Sequence, residues 1–346
     1  MIKILVVDDS AIVRQVLERE LGRTEGLEIV GSAPDPYVAR DMILELRPDV
    51  VLLDIEMPRM DGLTFLKKLM QYYPLPVIIV SSLTKEGADL AVDAVNTGAV
   101  DVVSKPGSSF SVSELVPSLV DKIKAASRVN IQSYMQRPAK QERRITTELA
   151  RRKITNKVIA VGASTGGTQA LDSLLQQLPG HVPGMLIVQH MPENFTASFA
   201  ERLNDRSALE VREARNNDSV VPGVALIAPG NYHMILRRSG ARFYVTIKQG
   251  PMICRQRPSV DVLFKSVAQN AGKNAAGALL TGMGKDGAEG LLQMLQAEAM
   301  TIAQDEKSSL VFGMPQEAIK LGGAEKVLSL NAIPGALVEW ADSQGT

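Results

Sequence analysis

Short apolar runs that do not alternate with polar residues recur along the chain. Each is followed by a longer stretch with apolar positions three and four residues apart. In the first third the apolar runs are Ile2–Val7, Glu28–Ala33, Val50–Leu53, Pro76–Ser81 and Val100–Val103. The helical stretches that follow them are Ala11–Leu21, Pro36–Leu46, Gly62–Gln71, Gly87–Thr97 and Val112–Ala126. A strand with one face in water alternates, whereas these runs stay apolar, so both faces of their sheet must be covered. The pattern predicts a doubly wound α/β domain with a mainly parallel sheet over residues 1–126.

Residues 127–153 break this rhythm. The segment from Gln141 to Lys153 is polar and mostly basic, with little to bury, and reads as an interdomain linker. The linker has room for a short surface helix, and a partner-docking segment is the alternative reading. The alternation then resumes over residues 154–346. Strands are expected at Val158–Val161, Gly184–Gln189, Ala276–Thr281, Thr301–Gln304 and Val327–Ser329. Helices are expected at Thr168–Leu178, Phe195–Asn204, Val260–Ala271, Gly287–Gln296 and Pro315–Leu321. Between them, Val224–Ala228, Tyr232–Leu236 and Arg242–Ile247 are joined by Pro-Gly, Gly-Asn and Ser-Gly turns, which predicts added antiparallel hairpins. The expected architecture is two doubly wound, mainly parallel α/β domains, the second with an antiparallel hairpin region.

Composition narrows the function. At 346 residues the chain exceeds one ordinary core, which supports two domains. Its 38 basic and 38 acidic residues cancel, so nothing in the charge points to nucleic acid or an acidic membrane surface. The single cysteine, Cys254, excludes an intrachain disulfide and paired-cysteine metal sites. It lies outside any strand-turn-helix context and reads as structural. The apolar start is followed at once by Asp8 and Asp9 with no cleavage site, and no run is long enough to cross a bilayer. A cytoplasmic protein with no membrane insertion is expected.

Two groups of residues carry chemistry. Asp8 and Asp9 end the first predicted strand and Asp54 the third, and in such sheets the strand C-termini gather at one edge. Three carboxylates there repel one another unless a cation intervenes, and oxygen-only ligation suits Mg²⁺. Ser81 and Lys105 end the fourth and fifth strands, and a hydroxyl and an ammonium are what a phosphorylated aspartate needs for its added oxygens. Ser82 is a poorer fit in register. In the second half, Gly162-Ala-Ser-Thr-Gly-Gly167 turns a strand into a helix and leaves the Ser164 hydroxyl at the tip of the turn. A P-loop would need a lysine before the hydroxyl residue, and the spacing fails G-x-G-x-x-G.

A nucleophilic serine needs a base, and the chain has three histidines. His190 directly follows a strand and so emerges at the same sheet edge as Ser164. His233 lies among the predicted hairpins and is a candidate for a substrate loop. His181 sits in a Pro-Gly-His-Val-Pro loop and reads as solvated. Asp286, in Thr281-Gly-Met-Gly-Lys-Asp-Gly287, could orient the imidazole, with capping of the helix near Gly287 as its alternative. Asp261 reads as part of a helix start.

The segment Asp54-Ile-Glu-Met-Pro-Arg-Met-Asp-Gly62, taken with Asp8, Asp9, Ser81 and Lys105, resembles the receiver domain of two-component response regulators. The segments Gly162–Gly167, Gln189-His-Met-Pro192, Ala228-Pro-Gly230 with His233, Arg257-Pro-Ser-Val-Asp261 and Thr281–Gly284 with Asp286-Gly287 resemble the catalytic domain of chemotaxis protein-glutamate methylesterases of the CheB type. The resemblance implies phosphorylation of Asp54 by a chemotaxis histidine kinase, with Mg²⁺ held by Asp8, Asp9 and Asp54, and Ser81 and Lys105 as the phosphoryl switch. It also implies Ser164 as nucleophile, His190 as base, Asp286 as orienting carboxylate and the Thr165 and Met283 amides as oxyanion donors. The implied function is phosphorylation-activated demethylation of glutamate methyl esters on methyl-accepting chemotaxis receptors. Deamidation of receptor glutamines is implied as well, with no cofactor for the hydrolytic step. The alternative is an esterase under the same control acting on another ester.

Overall fold

The computed structural model describes residues 1–58, 60–105, 112–129, 131 and 156–343. The chain divides into two compact units, Met1–Pro138 and Ala139–Thr346. The predicted linker lies outside the described residues from residue 132 onward.

In the first unit β1 (Ile2–Val7), β2 (Leu27–Ala33), β3 (Val50–Asp54), β4 (Val77–Ser81) and β5 (Asp101–Ser104) alternate with five helices. These are α1 (Ala11–Leu21), α2 (Pro36–Leu46), α3 (Gly62–Tyr72), α4 (Lys85–Thr97) and α5 (Val112–Ala126). All strands are parallel, in the order β2-β1-β3-β4-β5. The unalternating runs of β3 and β4 are buried at every position, as a sheet covered on both faces requires. Helix starts are fixed locally: Ser10, Asp35, Asp61 and Thr84 each accept a hydrogen bond from a first-turn amide. From β1 the chain builds the sheet in both directions, so the C-terminal ends of β1 and β3 open a crevice.

The second unit has β6 (Val158–Ala163), β7 (Gly184–Gln189), β8 (Glu210–Glu213), β9 (Val224–Ile227), β10 (His233–Ser239), β11 (Arg242–Lys248), β12 (Ala275–Leu279), β13 (Met300–Gln304) and β14 (Lys326–Leu328). Its helices are α6 (Gly167–Gln176), α7 (Phe195–Arg206), α8 (Val260–Ala271), α9 (Ala288–Gln296), α10 (Met314–Lys320) and α11 (Ile333–Asp342). Seven strands form a parallel sheet in the order β14-β13-β12-β6-β7-β9-β8. Val158 and Ala160 of β6, Leu186 and Val188 of β7, and Leu263 and Phe264 of α8 share its core.

Among the described residues only β10 and β11 form an antiparallel hairpin. The segment expected as its third member, Val224–Ala228, supplies β9, a parallel strand between β7 and β8. The reason is in its burial: Val-Ala-Leu-Ile is covered at all four positions, whereas the hairpin strands alternate and end exposed. Two elements were not anticipated. β8 is a polar edge strand that buries Val211 alone. Helix α11 carries Pro334 in its first turn, where a helix tolerates proline. It is tied back to β6 by Lys157, whose Nζ donates to the carbonyls of Trp340 at 2.7 Å and Ala341 at 3.2 Å.

Candidate active site

β6 is the switch point of the second sheet, with β7 on one side and β12 on the other. Ala163 at the end of β6 pairs with Gln189 at the end of β7. Ser164 and His190 are the first residues beyond these two neighbouring parallel strands, and strands in a sheet lie about 4.8 Å apart. The His190 amide donates to the Ala163 carbonyl at 3.2 Å, holding the two strand ends in step.

The turn after Ser164 is built tightly. The Ser164 amide donates to Thr281 O at 3.0 Å, and the Ser164 carbonyl accepts from the Gly167 amide at 2.6 Å and from Gln189 Nε2 at 3.0 Å. Gly166 lies at φ 77°, a left-handed conformation that suits glycine. Gly282 is required by space: a Cβ there would lie 2.7 Å from the Ser164 Cβ and 2.3 Å from Met314 Sδ. Thr281 fastens the facing loop, its Oγ1 donating to Thr165 O at 3.0 Å and accepting from Val311 N at 2.9 Å. Thr165 follows Ser164 in the chain, and Met283 follows Gly282, the glycine packed against Ser164.

His190 and Asp286 meet directly, with His190 Nε2 2.8 Å from Asp286 Oδ2. Both residues are buried, at 4% and 2% exposure. Asp286 does not cap α9, which starts after it; it sits on the N-terminus of α8. Its Oδ2 also accepts from Val260 N at 2.7 Å, and its Oδ1 accepts from Ser259 Oγ at 2.7 Å and Asp261 N at 3.1 Å. Burial alone would raise the pKa of this carboxyl. The bond to His190, that residue's charge, and the Ser259 and Val260 donors overcome burial and hold it below its ordinary value. The carboxylate is thus ionised at neutral pH and can only accept, which puts a proton on His190 Nε2; in the neutral ring Nδ1 then keeps its lone pair. Among the described residues that buried Nδ1 has no hydrogen-bond partner.

His233 is not placed as a substrate-loop residue would be. It is 5% exposed, with Nε2 2.9 Å from Pro251 O and Nδ1 3.2 Å from Ser259 N. Asp261 lies in the first turn of α8, and its Oδ1 accepts from Gly290 N of α9 at 2.7 Å. Cys254, which the sequence set aside, stands close to the site. Its sulfur and one oxygen each of Asp261 and Asp286 lie within 4.8 Å of one another. Partial burial, then the two carboxylates, push its thiol up, away from the thiolate form.

The first sheet brings its own group together. Asp8, Asp9 and Asp54 place carboxylate oxygens within 4.8 Å of one another, with Asp8 and Asp54 buried and Asp9 exposed. Lys105 Nζ lies 2.7 Å from Asp54 Oδ2 and 3.1 Å from Asp8 Oδ2. Burial raises the pKa of both buried carboxyls by more than Lys105 lowers it, and the acid neighbours, Asp9 beside Asp8 and Asp8 beside Asp54, raise it further. Burial would lower the pKa of Lys105, but its bond to Asp54 raises it overall. This set of oxygens with surplus negative charge fits a hard divalent cation. The Ser81 hydroxyl is fully buried and donates to Gly87 O at 3.1 Å.

The charge imbalance predicts a stability effect. A carboxyl with a raised folded-state pKa costs stability above that pKa, and the cost disappears as pH falls through it. At neutral pH without Mg²⁺, Asp54→Asn should therefore melt higher than the parent receiver, by on the order of a few °C. Mg²⁺ should raise the Tm of the parent more than that of the variant. An Asp54→Asn receiver that melts lower, measured by thermal unfolding, would show that the Lys105 pair outweighs carboxylate repulsion.

The folds and sites together define a response regulator whose output domain is a hydrolase built on a doubly wound parallel sheet. Residues 4–116 match the response regulator receiver domain family, and residues 159–337 match the CheB methylesterase family. The chain belongs to the CheB methylesterase family. It is 59% identical over 342 residues to protein-glutamate methylesterase/protein-glutamine glutaminase 2 of Syntrophus aciditrophicus, covering 97% of this chain and 98% of that protein. It is 53% identical over 344 residues to the corresponding protein 4 of Anaeromyxobacter dehalogenans, covering 99% and 96%. The crystal structure of the Thermotoga maritima CheB methylesterase catalytic domain superposes with a TM-score of 0.52 at 37% identity, covering 53% of this chain and 97% of that one. No helix among the described residues is long and apolar enough to cross a membrane.

Proposed function

We propose that this chain is a phosphorylation-activated protein-glutamate methylesterase that also deamidates glutamine, acting on methyl-accepting chemotaxis receptors from the cytoplasm. The observation that carries the hydrolytic half is His190. Its Nε2 is held by an ionised Asp286, and its Nδ1 lone pair is left over one residue beyond the strand end beside Ser164. That nitrogen is the base. As Ser164 Oγ bonds to the ester carbonyl carbon, Nδ1 takes its proton, and the carbonyl oxygen becomes an oxyanion received by the Thr165 and Met283 amides. When the C–O bond to the methoxy group breaks, Nδ1 returns the proton and methanol leaves. Water then adds to the acyl-serine by the same route, releasing the glutamate side chain and restoring Ser164. A glutamine amide would follow the same course with ammonia as the leaving group. A general base contributes about 10²–10⁴ in rate, and one oxyanion donor about 10²–10³.

In the receiver, Asp54 is the phosphoacceptor for a chemotaxis histidine kinase. Asp8, Asp9 and Asp54 would hold Mg²⁺, which when bound neutralises the oxygens of the incoming phosphoryl group. Lys105 already sits on Asp54 and would pair with that group. The Ser81 hydroxyl would exchange Gly87 O for a phosphoryl oxygen, and that exchange is the proposed switch.

The test is methanol release from methylated receptor membranes by the intact chain, with and without a small phosphodonor and Mg²⁺. Allosteric couplings of about 1–3 kcal/mol set the expected activation at roughly 5–150-fold. Asp54→Ala should stay at the basal rate in both conditions. Activation that survives in Asp54→Ala would overturn the assignment of the phosphoacceptor. No methanol under any condition would overturn the substrate class and favour another ester.

A further inference from the structure

Asp286 is held by one short segment, the N-terminus of α8, and that segment is in turn held by His233. His233 opens β10 and is buried against Gly250, whose missing Cβ would lie 3.4 Å from the ring carbon Cδ2. On one edge of the ring Nε2 faces the Pro251 carbonyl at 2.9 Å; on the other Nδ1 faces the Ser259 amide at 3.2 Å. A carbonyl can only accept and a peptide N–H can only donate, so the ring is a neutral imidazole with its proton on Nε2. Ser259 is fully buried and is the N-cap of α8, its Oγ accepting from Val262 N at 3.4 Å. The same Oγ donates to Asp286 Oδ1, and the next two amides, Val260 and Asp261, also donate to that carboxylate. Asp286 Oδ2 then meets His190 Nε2.

One unbroken set of hydrogen bonds therefore runs from the Pro251 carbonyl through the His233 ring, the Ser259 residue and the Asp286 carboxylate to His190. We propose that His233 and Ser259 are positioning residues for the hydrolytic reaction. His233 fixes the place of the Ser259 backbone, which aims three donors at Asp286, and Asp286 sets the plane and tautomer of the His190 ring. The role asks for an acceptor and a donor on opposite edges of one rigid side chain, which a neutral histidine supplies. The proposal rests on the reading of Ser164, His190 and Asp286 as the esterase triad. Neither His233 nor Ser259 touches substrate in this account, so their loss should lower kcat and leave KM unchanged.

The experiment uses the full-length chain with phosphodonor and Mg²⁺. Methanol release is measured for His233→Leu, His233→Gln, Ser259→Ala and the double variant His233→Leu/Ser259→Ala, with Ser164→Ala as the inactive reference. A misplacement of about 1 Å costs up to about 10²-fold, which sets the expected loss of kcat for His233→Leu. His233→Gln, which keeps a donor and an acceptor, should recover part of that loss. The double variant should fall short of the product of the single losses, because both residues act through one carboxylate. The second readout is ¹⁵N-histidine NMR, in which three rings give assignable signals. The Nε2–H resonance of His190 should move in His233→Leu and in Ser259→Ala. An unmoved His190 resonance, an unchanged kcat, or a loss confined to KM would each overturn the proposal. If His233→Leu fails to fold, His233→Gln and Ser259→Ala decide it by the same criteria. Should Ser164→Ala keep its activity, the triad reading fails instead, and the His190 resonance still reports whether His233 positions that ring.

Discussion

Ser164→Ala should abolish methanol release from methylated receptor membranes while leaving phosphorylation of Asp54 intact. The two chemistries belong to separate units, each with its own parallel sheet and its own crevice at a switch point. Removing the nucleophile of a serine triad costs on the order of 10⁶ in kcat, because the base and the orienting acid have nothing left to act on. The truncation should be quiet in the fold: the turn is held by the Ser164 amide and carbonyl, which alanine keeps. The Tm of the second unit should stay close to that of the parent. Labelling of Asp54 by a radioactive phosphodonor should match the parent as well. Substantial esterase activity in a well-folded Ser164→Ala enzyme would mean that another group attacks the ester.

Much of this could be read from the sequence, because the signals are local. Glycines on both sides of Ser164 and an apolar run before it announce a strand-turn-helix, and His190 follows a strand directly. Asp8, Asp54, Ser81 and Lys105 each stand at the end of a predicted strand, so the sheet edge gathers them. What was illegible depends on contacts far apart in sequence. Asp286 sits before a helix and reads as its possible cap, yet it is bound to the N-terminus of α8, whose residues lie 25 to 27 positions earlier. His233 follows a Gly-Asn turn and suggests an exposed loop, while the partners that bury it are 18 and 26 residues away. Turn residues surround Val224–Ala228 and suggest a hairpin strand, although its unalternating apolar character suits a parallel strand. The edge strand β8 is polar at three of four positions, and a pattern of hydrophobicity has little to detect there.

The arrangement around Asp286 also ranks the triad members. Asp286→Asn should lower kcat by on the order of 10⁴, the cost of losing an orienting carboxylate in a serine triad. His190→Ala should lose more, near the full effect of removing Ser164. An asparagine keeps one oxygen and turns an NH₂ toward a second set of donors, in a place where Ser259 Oγ, Val260 N, Asp261 N and His190 Nε2 all donate. If the NH₂ faces His190, the imidazole must move its proton to Nδ1 and can no longer accept one from Ser164. If it faces Ser259, the tautomer survives but the charge that stabilises the imidazolium is gone. Either way a buried donor loses its acceptor, which costs about 1–3 kcal/mol and should appear as a lower Tm. The pH dependence has a definite sign. Because the Asp286 pKa is depressed in the folded state, its stabilising contribution is present above the unfolded value of about 3.9 and is lost as pH falls through the folded one. The stability gap between parent and Asp286→Asn should therefore narrow below pH ~4. The measurements are kcat for the two variants and thermal unfolding of Asp286→Asn against pH. If Asp286→Asn loses as much kcat as His190→Ala with its Tm at the parent value, Asp286 does more than orient the ring. If the equal loss comes with a collapse in Tm at neutral pH, the carboxylate is chiefly the clasp that holds α8 against the Gly282–Gly287 turn.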